Sequence, residues 1–136
     1  TPEPMDYGYK RLFQNESIIH LRSYPIETIL AEKIETIITR GILNTRPRDF
    51  YDVYILTRTQ GYDAETLRRA LFATAEHRGT KSVVESETHS RLSVIEASGE
   101  LKVQWAKYQK KFPYAKSVAY EQTIEAIKEV IDEIHI

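Results

Sequence analysis

Four glycines, at positions 41, 61, 79 and 99, divide the chain at intervals of 20, 18 and 20 residues. Glycine adopts left-handed backbone without a Cβ penalty and so ends helices readily. The stretches between them have helical length, and the spacing predicts a series of antiparallel helices. They share no side-chain repeat, which gives no ground for a solenoid. The first helix is expected from Pro25, whose fixed φ and missing N–H suit a helix start, to Arg40 before Gly41. A second runs from Arg48 to Gln60, and a third, capped by Asp63, ends at Arg78-Gly79. Residues 80–90 are polar and weakly patterned. Helix resumes over Ser90–Phe112 with a break at Gly99, and Pro113-Tyr114 forms a turn. In the last helix, Tyr120–Ile134, Tyr120, Ile124, Ile127, Ile131 and Ile134 form an apolar seam. Its other faces carry Glu121, Glu125, Glu129, Asp132 and Glu133, a solvated acidic surface.

Ahead of these helices, residues 17–24 alternate and predict a strand, with residues 10–13 as a short partner. The expected fold is thus a mainly α helical bundle with a short N-terminal β segment. The boundary falls between a strand segment, 1–24, and a helical domain, 25–136. The 136 residues, 41% of them hydrophobic, suffice for one core. A net charge of -1 commits the chain to neither nucleic acid nor membrane. No apolar run has the length of a membrane span. The absence of cysteine excludes disulfides, thiolate metal sites and cysteine nucleophiles, and fits a cytoplasmic protein. His20, His77, His89 and His135 lack ligand spacing, so no metal site is expected in this chain. A glycine-rich phosphate loop and a G-x-S-x-G elbow are also missing.

Two places depart from ordinary helix patterning. Lys33 lies seven residues after Ile26, four after Ile29 and four before Ile37, inside the apolar stripe of the first helix. Spacing alone favours a lysine that snorkels to solvent. The sharper reading is a cation held at a cleft, facing a phosphate or a carboxylate. Glu27 in the first turn suits the positive end of the helix dipole. The second place is Arg46-Pro47-Arg48-Asp49-Phe50-Tyr51-Asp52. Asp49 and Asp52 share a face, and with the arginines they read either as a cap with surface ion pairs or as an anion-handling corner. Between 101 and 116, Lys102, Lys107, Lys110, Lys111 and Lys116 interleave with Trp105, Tyr108, Phe112 and Tyr114. Leu101, Trp105, Tyr108 and Phe112 step by four, three and four. Core aromatics backed by solvated lysines therefore outweigh a base-stacking surface.

The run Tyr24-Pro25-Ile26-Glu27-Thr28-Ile29-Leu30-Ala31-Glu32-Lys33, then Thr39-Arg40-Gly41, then Asn44-Thr45-Arg46-Pro47-Arg48-Asp49-Phe50-Tyr51-Asp52, resembles the AbiEii/AbiGii toxin family of nucleotidyltransferases. Trp105-Ala106-Lys107-Tyr108 and Tyr114-Ala115-Lys116 extend the resemblance over most of the chain. The resemblance implies a C-terminal helical part that supplies a catalytic lysine, Lys33, and aspartate, Asp49, to a cleft for Mg2+ and a nucleoside triphosphate. Arg46, Arg48, Asp52 and Glu27 are the implied substrate-binding residues, with Asp52 an alternate for the Asp49 role. It also implies a nucleotidyltransferase core with a Gly-Ser motif and an Asp-x-Asp pair, and this chain has neither. Its aspartates are 6, 49, 52, 63 and 132. The chain opens Thr1-Pro2-Glu3-Pro4, with its one methionine at Met5. The expectation is the C-terminal part of an α+β nucleotidyltransferase, inactive alone, whose N-terminal core lies elsewhere. An antitoxin and a tRNA or other RNA acceptor are the implied partners. The alternative is a non-catalytic helical module that docks an antitoxin or another partner.

Overall fold

The structure, a computed structural model, describes residues 25–43 and 46–136. Every regular element among them is helical: α1 (Ile26–Arg40), α2 (Pro47–Thr59), α3 (Ala64–Arg78), α4 (Lys81–Ala97), α5 (Gly99–Lys111), a 3-10 turn (Pro113–Ala115) and α6 (Tyr120–Ile134). The α+β description is therefore corrected to an all-helical one for these residues. The strand expected over 17–24, its partner over 10–13 and the 1–24 segment lie outside the described residues.

The helix ends follow from local chemistry. Gly41 takes φ 57°, a conformation that a side chain strains, and its N–H reaches the Ile37 carbonyl at 3.1 Å. Gly79, at φ 75°, closes α3, and Thr80 N–H bonds back to the Ala75 carbonyl at 2.7 Å. Asp63 caps α3 as its position predicts, its carboxylate accepting from Thr66 N–H at 2.9 Å. Pro25 sits one position earlier than expected, at the N-cap of α1, while Pro47 opens α2 in place of Arg48.

Residues 81–97 form one continuous helix, although residues 80–90 carry little visible pattern. The buried positions of α4 are Val84, Thr88, Leu92 and Ile95, stepping by four, four and three. Thr88 interrupts the apolar stripe, and its hydroxyl is satisfied inside the helix by the Val84 carbonyl at 2.5 Å. A polar letter thus occupies a core position at the cost of one internal bond, which disguises the period. The break near Gly99 falls at Ser98, whose hydroxyl accepts from Leu101 N–H at 3.1 Å. Replacing Ser98 by alanine is expected to remove about 1 kcal/mol of stability. Urea unfolding followed by circular dichroism measures it; an unchanged midpoint would show that the cap contributes nothing.

Helix α1 is the hub, packing most extensively on α3 and also against α2 and α4. Its buried face is Ile29, Leu30, Ala31, Ile34, Ile37 and Ile38. Helix α6 lays the predicted seam on α2 and α3, widened by Thr123, Ala126 and Val130. Glu121, Glu125, Glu129, Asp132 and Glu133 face outward as expected. Helix α5 packs on α2 through Leu101, Trp105 and Tyr108. The Trp105 indole N–H donates to the Val118 carbonyl at 2.9 Å, and Tyr108 shares a 2.7 Å hydroxyl contact with Tyr114. The aromatics of residues 101–116 are thus largely core, and the lysines between them are exposed. Arg91 of α4 donates to the Ile38 and Thr39 carbonyls, neutralising the last turn of α1.

Candidate functional site

Lys33 occupies the middle of α1, and Asp49 and Asp52 the first turns of α2. A 3.6-residue period places both aspartates on one face of α2, and the packing of α1 on α2 brings that face to Lys33. The Lys33 ammonium lies 2.5 Å from Asp52 Oδ2 and 3.4 Å from Asp49 Oδ1. Side-chain exposure decides what this group can touch: 19% for Lys33, 3% for Asp49 and 0% for Asp52. Lys33 does not simply snorkel away; it bridges two helices and ties two carboxylates.

The pairing is incomplete. Asp49 Oδ2 and both oxygens of Asp52 are buried without a well-aligned hydrogen-bond donor. Arg46 Nε approaches Asp49 Oδ2 only to 3.6 Å, from an exposed side chain. Two buried carboxylates therefore draw on the Lys33 ammonium, with Arg46 at 3.6 Å from Asp49 and the charge of Arg48 acting on Asp52. Burial pushes the Asp52 carboxyl up from 3.8 to about 6 despite the opposing pull of Lys33 and Arg48; the neighbouring charge of Asp49 adds to the rise.

The sign of the resulting pH dependence follows. Folded Asp52 holds its proton more tightly than the unfolded chain does, so the folded state binds more protons between about pH 4 and 6. Stability from this group is greatest below the unfolded value, falls as pH rises through that window, and levels off above it. The shift corresponds to roughly 3 kcal/mol. The unfolding free energy of the wild type, measured against that of Asp52→Asn across this window, should decline by that order. A flat difference would show that Asp52 is ionised throughout.

A small hollow of about 160 Å³ opens beside the pair, lined by Glu32, Lys33, Thr36, Arg46, Asp49 and Arg78. The structure thus brings Lys33, Asp49, Asp52 and Arg46 together. Arg48 starts α2 on an exposed position. Glu27 is elsewhere: its carboxylate accepts from the Asp63 backbone N–H at 2.8 Å and so joins α1 to the start of α3.

One residue at this end of α1 escaped the sequence reading. Glu35 is 2% exposed and accepts from Arg78 Nη1 at 2.5 Å, from the Thr80 hydroxyl at 2.7 Å and from the Thr39 hydroxyl at 3.3 Å. The available signal was the same as for Lys33: Ala31, Ile34 and Ile38 surround Glu35 on the helix surface. Arg78→Ala leaves this carboxylate with only hydroxyl donors and is expected to cost about 2 kcal/mol. Arg78 is itself 40% exposed, so solvent screening keeps the figure below that of a fully buried pair. Thermal unfolding checks it, and a loss within error would show that water replaces the guanidinium.

Magnesium chemistry requires hard oxygen donors converging on one point. Among the described residues no group of three or more His, Asp or Glu side chains is placed to hold a metal. Lys33 occupies the position between the two aspartates where a cation would sit, so the pair does not fit a resident metal.

A family model described as "Nucleotidyl transferase AbiEii toxin, Type IV TA system" matches residues 1–133. No curated protein and no solved structure matches the chain. The match starts at residue 1 and is not confined to the helices after residue 24. This corrects the expectation of a C-terminal half that completes an active site with a separate N-terminal core. Nothing in the match carries an antitoxin or an RNA acceptor, so those partners are not retained. The need for Mg2+ and a nucleoside triphosphate is a property of such transferases in general, and the described residues hold no group placed to bind a metal. No described helix is long and apolar enough to cross a membrane.

Proposed function

Because the chain belongs to the nucleotidyl transferase AbiEii toxin family, we propose that its helices 25–136 serve that family's architecture as a non-catalytic interaction module that docks a protein partner. One observation carries the reading: the Lys33 ammonium is taken up by two aspartates whose side chains are 3% and 0% exposed. A residue that acts on a substrate must reach it: Asp52 is fully enclosed, and Asp49, at the edge of the hollow, is already engaged by Lys33 and by Arg46. Lys33, Asp49 and Asp52 are then a clasp between α1 and α2, with Arg46 screening its open side. Arg48 is an exposed residue at the head of α2, and Glu27 a link to α3.

A transfer assay tests this directly. The purified chain is incubated with each radiolabelled nucleoside triphosphate, Mg2+ and a mixed RNA acceptor. No incorporation is expected, and Lys33 and Asp49 variants should change unfolding midpoints only. Turnover abolished by Lys33→Ala in a protein that remains folded would overturn the reading.

A further inference from the structure

The face of α5 that points away from the core has an unusual charge pattern. No Asp or Glu occurs between Glu100 and Glu121, while Lys102, Lys107, Lys110, Lys111 and Lys116 all fall in that interval. All five are exposed. Elsewhere Arg58 and Arg69, which are exposed, and the half-buried Lys128 and Arg91 each sit against a carboxylate, while Lys81 is exposed without an ion pair among the described residues. Lys102, Lys107, Lys110 and Lys116 have no such ion pair among the described residues. At about 100° per residue, Val103, Ala106 and Lys110 point roughly opposite Trp105 and Tyr108, with Lys102 and Lys107 on either flank. Val103 is 56% exposed, a β-branched apolar side chain in the middle of a basic face. Beside it lies a groove of about 320 Å³ lined by Ala106, Gln109, Lys110, Pro113 and Lys116. Its lining combines the apolar Ala106 and Pro113 with the cationic Lys110 and Lys116. The adjoining wall is held in shape by Gln109, whose amide donates to the carbonyls of Ala115 and Val118.

We propose that this groove docks an acidic, amphipathic polypeptide segment, with its carboxylates on the lysines and an apolar side chain over Val103, Ala106 and Pro113. The proposal deepens the docking role above and rests on it. Charge complementarity selects the occupant: an excess of cations without partners around an apolar strip suits carboxylates flanking an apolar residue. Single-stranded nucleic acid fits less well. It would use aromatic faces for stacking, and here Trp105 and Tyr108 are only 3% and 9% exposed, while the partly buried Phe112 and Tyr114 are packed against Tyr108 and each other.

The test uses the full chain and a short fluorescent helical peptide with glutamates in i, i+4 rows flanking one leucine stripe. Fluorescence anisotropy should show saturable binding that weakens with added salt. Binding should weaken about tenfold or more in Lys110→Glu/Lys116→Glu, and by a smaller factor in Val103→Asp. Lys81→Glu, on the exposed start of α4, should leave it unchanged. Circular dichroism shows whether these surface variants remain folded. A peptide with glutamine in place of glutamate should not bind. Absent binding, or binding indifferent to Lys110 and Lys116, would overturn the proposal. Tighter binding of a uridine oligonucleotide through the same lysines would overturn it too, by assigning the face to nucleic acid. None of these outcomes involves nucleotidyl transfer, so the non-catalytic reading stands or falls separately.

Discussion

Lys33→Met is expected to destabilise the protein by about 3–5 kcal/mol, the usual consequence of removing one partner from a buried ion pair. Methionine fills nearly the same volume and packs well against Ile29 and Ile37, so the loss comes from charge and not from a cavity. What remains is a pair of enclosed carboxylates, three of whose oxygens already lack aligned donors. Their repulsion and desolvation favour protonation, so the deficit should shrink as pH falls through the carboxylate range. Pairing Lys33→Met with Asp52→Asn should return most of the loss, because a neutral amide needs no counter-ion. The double-mutant cycle, measured by urea unfolding, isolates the coupling between the two positions. A single-mutant loss below about 1 kcal/mol would show that solvent reaches the site more freely than the 0% exposure of Asp52 implies.

Trp105→Ala should cost a similar amount, about 3–5 kcal/mol, for a different reason. Trp105 is 3% exposed and stacks on Tyr108 at 5.4 Å between ring centroids. Tyr108 in turn contacts Tyr51 of α2, Phe112 and Tyr114. Removing the indole opens a cavity where α5 meets α2, and the fixed positions of these rings limit how far the site can collapse. Trp105→Phe should be much milder, about 1–2 kcal/mol. It also loses the indole N–H, yet the Val118 carbonyl keeps a donor in Gln109 Nε2 at 2.8 Å. Thermal melts of the two variants test the distinction. Equal losses would mean that the hydrogen bond, and not ring volume, holds the 113–119 turn in place.

The parts of the fold legible in the sequence were those written in apolar periodicity and helix ends. The seam of α6, the Asp63 cap, the stops at Gly41 and Gly79 and the aromatic stripe of α5 all arise from interactions within a few residues. Helix α4 was harder to see because Thr88 satisfies itself locally and so sits in the core with a polar letter. The position of Lys33 in a buried stripe was legible, as was the shared face of Asp49 and Asp52. The resemblance already placed Lys33 and Asp49 in one cleft; that Asp52 is the nearer partner of Lys33 was not legible, because it depends on how α1 packs on α2 and not on either helix alone. The same holds for Glu35, whose partners Arg78 and Thr80 arrive through the turn at Gly79. The resemblance, and not the spacing, implied catalytic roles for Lys33 and Asp49; in the structure their charges meet each other across the helix pair.

The hub position of α1 also bears on how the chain is made. During synthesis α1 emerges before each described helix that packs on it, and the cover these helices give its Ile29, Leu30, Ile34, Ile37 and Ile38 face is complete only after α4 ends at Ala97. At ordinary translation rates that interval is on the order of seconds. For that time a β-branched, isoleucine-rich surface is open to water and to neighbouring nascent chains, so the yield of folded protein should depend on ribosome speed and chaperone supply more than the stability of the finished bundle suggests.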